Sequence, residues 1–380
     1  MMRRLLNTCL VRKRGCISIN PVYTAMDMPD FLLTMSCRCA KIGISNPSVS
    51  TTHTFQKGTT PMKNEKIWAC LCHLGYNMWA DYEEKDGVKG FYYGQKSDVI
   101  ATPRLRFQRE AWDKIVAMLV DAGCNMIVLD IGEGIRFDCC PEIAAEDAWT
   151  KDEMKAELIR LRELGIEVIP KLNFSTCHDE WMGIYCRMVS TPPYYELVKN
   201  IIAECAELFD HPRFFHIGMD EEGMDCQTKY NYVVIRQGDL WWHDFNFICD
   251  CVRAAGSRPW IWADYIWNHE EIFLERMAKD VLMSNWYYGD FPEDYSASNK
   301  CIRAYEVLAE HGFDQIPGGS NWSMRGNLQK TAEFSRRHYD DEHLLGFLQT
   351  IWHPTAGKNM AQYEGGIEDL AETKNLWEKE

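Results

Sequence analysis

From residue 66 onward the chain repeats one pattern, a short continuous apolar run followed by a longer segment whose apolar residues recur at helical spacing. Strands are expected at 67–75, 125–131, 167–173, 214–219, 258–263, 281–286, 314–317 and 345–351. Helices are expected at 108–122, 151–164, 194–209, 240–255, 270–279, 300–311, 328–339 and within 367–379. Runs that are apolar throughout belong to strands buried on both faces, as in a parallel sheet covered by helices. Boundary signals agree with these assignments. Thr150 and Glu153 form a capping box, in which hydroxyl and carboxylate satisfy backbone N–H groups at the start of a helix. Gly123, Gly165, Gly256 and Gly312 each fall between a helix and the next strand, where a left-handed residue closes the helix.

Repetition to eight units predicts an α/β fold of the (β/α)8 TIM-barrel type over residues 63–380. The rival is an open doubly wound sheet, which the missing Gly-x-Gly-x-x-Gly turn after the first strand disfavours. Residues 1–62 follow no sustained period, and 43–62 are rich in Ser, Thr, Gly and Pro. They read as a poorly ordered N-terminal extension.

Charge and composition narrow the function. The formal net charge of −15 is uneven, because residues 1–62 carry eight Lys/Arg against two Asp, leaving −21 for the rest. An acidic body argues against a nucleic-acid partner, whose phosphates call for a basic face. No apolar run reaches 18 residues, so neither a spanning helix nor a membrane partner is expected. The basic opening of the chain is followed by an apolar stretch interrupted by Asn7 and Thr8. Cytoplasmic placement is therefore expected, with export by this segment as the alternative. Sixteen cysteines are scattered without a repeating framework and read as small buried hydrophobes. Cys70 and Cys72, with His73 beside them, lack a second pair at zinc spacing, so no metal or other cofactor is expected. The sequence leaves the oligomeric state open.

In a barrel of this type the reactive side chains stand at the C-terminal ends of the strands. Those ends are polar and aromatic here: His73, Tyr76 and Asn77 after the first, Asp130 and Glu133 after the second, Asn173 and His178 after the third, Asp220, Glu221 and Glu222 after the fourth, Trp262 and Asp264 after the fifth, Trp286, Tyr287 and Asp290 after the sixth. Trp322 and Trp352 follow the last two. Any one carboxylate could merely cap a helix, and any one Trp could merely plug the barrel. Together they describe a tryptophan wall facing a pair of acids, and aromatic faces stack on sugar rings. Glycoside cleavage needs a proton donor for the departing oxygen and a negative or nucleophilic group for the oxocarbenium ion. Two adjacent carboxyls repel, so one of them tends to hold a proton near neutrality.

The stretch His216-Ile-Gly-Met-Asp-Glu221 resembles the His-x-Gly-Gly-Asp-Glu signature of glycoside hydrolase family 20, the β-N-acetylhexosaminidases. The resemblance implies that Asp220 orients the substrate's 2-acetamido group, whose carbonyl oxygen acts as nucleophile, and that Glu221 is the general acid and base. Trp286-Tyr-Tyr-Gly-Asp290 is similar to the family's Trp-Tyr-Leu-Asp, implying that Tyr287 bonds the acetamido oxygen. By the same resemblance His178, His216, Trp262, Asp264, Trp286, Asp290, Trp322 and Trp352 are substrate-binding candidates, and the substrate is a glycan or glycoside. The family's first-strand arginine is absent, Met219 replaces a Gly, Lys171 and Asn173 replace third-strand acids, and Pro354 stands where an acid is expected. A modified sugar or a different linkage follows from those changes. Three further readings stay open: a retaining glycosidase with Asp264 or Asp290 as nucleophile, a metal-dependent barrel using His73, His178 and His216, and a carbohydrate-binding barrel without activity.

Overall fold

The computed structural model describes residues 66–81, 96–227, 230–292, 299–340 and 342–379. The N-terminal segment 1–62 lies outside the described residues.

Eight parallel strands form the expected barrel: β1 (Ile67–His73), β2 (Met126–Asp130), β3 (Glu167–Lys171), β4 (Phe214–His216), β5 (Arg258–Trp262), β6 (Leu282–Ser284), β7 (Gly318–Ser320) and β8 (Gly346–Thr350). They are hydrogen-bonded in the order β6-β5-β4-β3-β2-β1-β8-β7. Isolated parallel bridges, Met283 to Gln315 and Trp286 to Gly318, join β6 to β7 and bring the sheet to near closure. Between the strands run α1 (Arg109–Asp121), α2 (Lys151–Glu163), α3 (Pro192–Leu208), α4 (Gly238–Ala254), α5 (Ile266–Arg276), α6 (Lys300–Glu310) and α7 (Asn327–His338), with α8 (Met360–Lys379) last. The capping box forms as expected, with the Thr150 hydroxyl accepting from the Glu153 N–H at 3.2 Å and Glu153 accepting from the Thr150 N–H at 2.7 Å.

The seventh strand lies later than 314–317. Asp314 is spent on Arg258 and His343, and Gln315 makes isolated bridges only, so regular pairing begins at Gly318. Two glycines there look like a turn in sequence. A Cβ on Gly319 would lie 2.7 Å from Leu328 Cα, so the residue is glycine because α7 packs directly on the strand.

Alternate residues divide the core. Ile67, Ala69, Leu71, Met126, Val128, Ile169, Phe214, Trp260 and Leu348 fill the barrel, while the residues between them pack against the helices. Following the inward parity toward the C-terminal ends reaches a polar layer. His73 pairs in register with Asp130, Asp130 with Lys171, and Lys171 with His216. Lys171 is fully buried (0% exposed) and forms an ion pair with Asp130. Burial pushes the Asp130 carboxyl up, against the opposing pull of the Lys171 ammonium. Burial, reinforced by Lys171, holds His73 and His216 well below the usual imidazole range, so both are neutral. This layer is the floor of the site.

Candidate active site

Above the polar layer the strand ends open into a pocket. Its polar side comprises Asn173, His178, Asp220 and Glu221, and Trp262, Trp286, Trp322, Trp352 and Tyr288 form the aromatic side. The acids are delivered by a strained turn at the end of β4, in which Gly218, Met219 and Glu221 have φ of +72°, +74° and +54°. A regular strand would send the Asp220 and Glu221 side chains to opposite faces; these left-handed residues bring both to the pocket. Gly218 has no alternative here, because a Cβ would fall 1.9 Å from Asn173 Oδ1.

The acids are fixed by a compact network. Asn173 Nδ2 donates to Asp220 Oδ1 at 2.8 Å, and the Ser175 hydroxyl donates to the Asp220 carbonyl. His178 Nε2 lies 3.0 Å from Glu221 Oε2 and 3.3 Å from Asp220 Oδ2, so one imidazole bridges both acids. Glu221 is the more open, its side chain 35% exposed against 11% for Asp220. The Glu221 N–H donates to Asp264 Oδ2 at 2.8 Å, and Trp286 Nε1 lies 3.4 Å from Asp264 Oδ1. Burial, and then the negative charges of Asp220 and Glu221, push the Asp264 carboxyl well above the usual carboxylate range. Neighbouring Glu222 does not reach the pocket; it accepts from Thr176 and from buried Arg236, anchoring the loop.

Several expected positions need correction. Tyr287 does not face the acids: it packs on Phe291, with ring centroids 5.3 Å apart, and on the Ile302, Tyr305 and Phe334 cluster. Tyr288 lines the pocket instead, its phenol oxygen accepting from Trp352 Nε1 at 3.0 Å with the Thr350 hydroxyl 3.3 Å away. Asp290 is a surface residue paired with Lys330 at 2.7 Å, and that bond holds its carboxyl below the usual range. His216 is fully buried under Trp262, ring centroids 4.8 Å apart, where it supports the wall from behind. Asp264 stands behind Glu221 rather than on the lining. His178, Trp262, Trp286, Trp322 and Trp352 lie on the lining as expected.

A second group extends the strand-end candidates after β1. The loop after β1 contributes Tyr76, Met78 and Trp79, and the Trp79 ring lies edge-on to His178 at 6.3 Å. Glu133, buried after β2, accepts from the N–H groups of Tyr76 (2.9 Å) and Asn77 (3.2 Å) and so holds that loop against the barrel. Burial pushes Glu133 up to about 7 despite those bonds.

This barrel matches the catalytic barrels of known glycosidases. Over 81% of its length the chain superposes on the family 20 exo-β-N-acetylglucosaminidase of Vibrio harveyi, solved with N-acetylglucosamine, at a TM-score of 0.55 and 12% identity. The β-N-acetylhexosaminidase of Bacteroides fragilis gives 0.54 and 14% over the same share. The chain has the fold of the family 20 glycoside hydrolases. By sequence it is 21% identical over 300 residues to a lacto-N-biosidase of Bifidobacterium bifidum, an alignment covering 68% of the chain. It spans about a quarter (26%) of that relative's length, and 54% and 65% of the two solved chains. No protein-family model matches the chain. The family 20 resemblance read from 216–221 therefore agrees with the fold, and that motif ends β4 as its position in the sequence requires.

Proposed function

We propose that the protein is a retaining glycoside hydrolase that removes a terminal N-acetylhexosamine, or a modified relative, with the substrate's own 2-acetamido oxygen as nucleophile. The observation that carries this reading is the pairing of Asp220 and Glu221 through His178 at the foot of an aromatic pocket. The more exposed Glu221 protonates the leaving oxygen and later activates water. Asp220, set deeper, accepts the acetamido N–H and stabilises the cationic cyclic intermediate. Tyr288 uses its oxygen to accept from Trp352, which leaves the phenol proton for the acetamido carbonyl. Trp262, Trp286 and Trp352 enclose the apolar faces of the sugar and the acetamido methyl.

A protein nucleophile is less well supported. Asp264 is engaged on both oxygens, and Asp290 is paired with Lys330 at the surface. The relatives, a lacto-N-biosidase and N-acetylhexosaminidases, support a substrate bearing an N-acetylhexosamine. The test is turnover of an aryl 2-acetamido-β-glycoside by the Asp220→Asn and Glu221→Gln variants. Each substitution is expected to lower kcat/KM by about 100-fold or more. Sugar binding without turnover in the unsubstituted protein, unchanged by Asp220→Asn, would make it a binding barrel.

A further inference from the structure

The carboxamide of Asn173 has one defined orientation. Its Oδ1 accepts from the N–H groups of Ser175 at 3.0 Å and Met219 at 3.3 Å, and its position is enforced by the close approach of Gly218. The other end, Nδ2, therefore faces Asp220 Oδ1 at 2.8 Å. An amide nitrogen donates and never accepts, so Asp220 Oδ1 accepts that N–H and presents no hydrogen of its own toward Asn173. From this we infer that Asn173 is a positioning residue that keeps Asp220 an acceptor-only carboxylate and turns its second oxygen toward the substrate's amide N–H. The inference rests on the function proposed above.

The surroundings explain why a neutral donor is needed at this position. Asp220 is faced by His178 from the β3 loop, Glu221 in its own turn, Asp264 beyond β5, Asp130 and Lys171 in the polar layer, and the Tyr288 phenol beyond β6. Three of these are carboxyls, and the one ammonium among them is already paired with Asp130. An acid at position 173 would set a fourth carboxyl at hydrogen-bond distance from Asp220. The two would then share a proton, and Asp220 could no longer be relied on as an acceptor. With the amide in place, Asp220 accepts from Asn173 on one oxygen and meets His178 with the other, while His178 reaches on to Glu221.

The test is the pH dependence of kcat/KM for an aryl 2-acetamido-β-glycoside, measured with Asn173→Asp and Asn173→Ala beside the unsubstituted protein. The 13C NMR titration of the Asp220 carboxyl, identified by its loss in Asp220→Asn, is followed in the same proteins. Asn173→Asp should move both the acidic limb of the rate profile and the Asp220 titration upward by about one pH unit or more. Asn173→Ala, which removes the donor without adding charge and serves should the acid variant not fold, should move both upward by less. If the limb and the titration stay where they are in the folded variants, the inference is wrong. Should the unsubstituted protein turn over no acetamido glycoside, the proposed function fails, while the carboxyl titration still decides the role of Asn173.

Discussion

The backbone N–H of Glu221 donates to Asp264 Oδ2 at 2.8 Å, so the deeper carboxyl holds the more exposed one by its main chain. Glu221 has φ of +54°, a conformation that costs a non-glycine residue on the order of 1 kcal/mol and needs an external hold.

Asp264→Ala should therefore release that turn and let the proton donor drift. We expect kcat to fall by roughly 10–100-fold with KM changed far less, because misplacement of a catalytic group affects the chemical step. Asp264→Asn keeps an acceptor for the same N–H and should retain most of the rate. Steady-state kinetics on the two variants make the check. Equal and complete loss in both would instead give Asp264 a direct part in the chemistry.

Neighbouring tyrosines after β6 are expected to behave in opposite ways. Tyr288→Phe removes a pocket phenol and should lower kcat by about 100-fold, the scale of losing one donor to a developing charge. Tyr287→Phe, in its packing cluster with Phe291, should stay within about two-fold of the parent. A rate assay on the pair decides between the two positions.

The pair also shows what was legible in the sequence. Inward parity along β6 runs Leu282, Ser284, Trp286, Tyr288, which by alternation alone selects Tyr288. The motif resemblance selected Tyr287, because short motifs align letters and not faces. Elsewhere periodicity served well: the continuous apolar strands, the Thr150 cap and the acids ending β4 all stand where the sequence put them. Asp290 was misread because the chain has already turned to the surface and Lys330 there has no signature at a distance of forty residues. Tyr76 is legible as a strand-end residue, whereas Met78 and Trp79 are not, since a loop carries no period, and what shapes it is Glu133, distant in sequence.

Glu133 makes stability depend on pH. Its carboxyl sits at about 7 when folded against an ordinary value of 4.5, so folding favours the protonated form. The stabilisation is fully present below pH 4.5 and is lost as pH rises through 7, by at most about 3 kcal/mol. Glu133→Gln should flatten that decline, and the urea midpoint of the variant should change less between pH 5 and pH 8 than that of the parent. An identical decline in both proteins would assign it to other groups.

The most direct measurement is kcat/KM for two aryl β-glycosides that differ only at C2, one with an acetamido group and one with a hydroxyl. If Asp220 orients a substrate nucleophile, the acetamido compound should be cleaved with retention of anomeric configuration, and the hydroxyl compound at least about 100-fold more slowly. Equal rates, or turnover of the hydroxyl compound alone, would show that the acetamido group has no part in the reaction and that the role given to Asp220 is wrong.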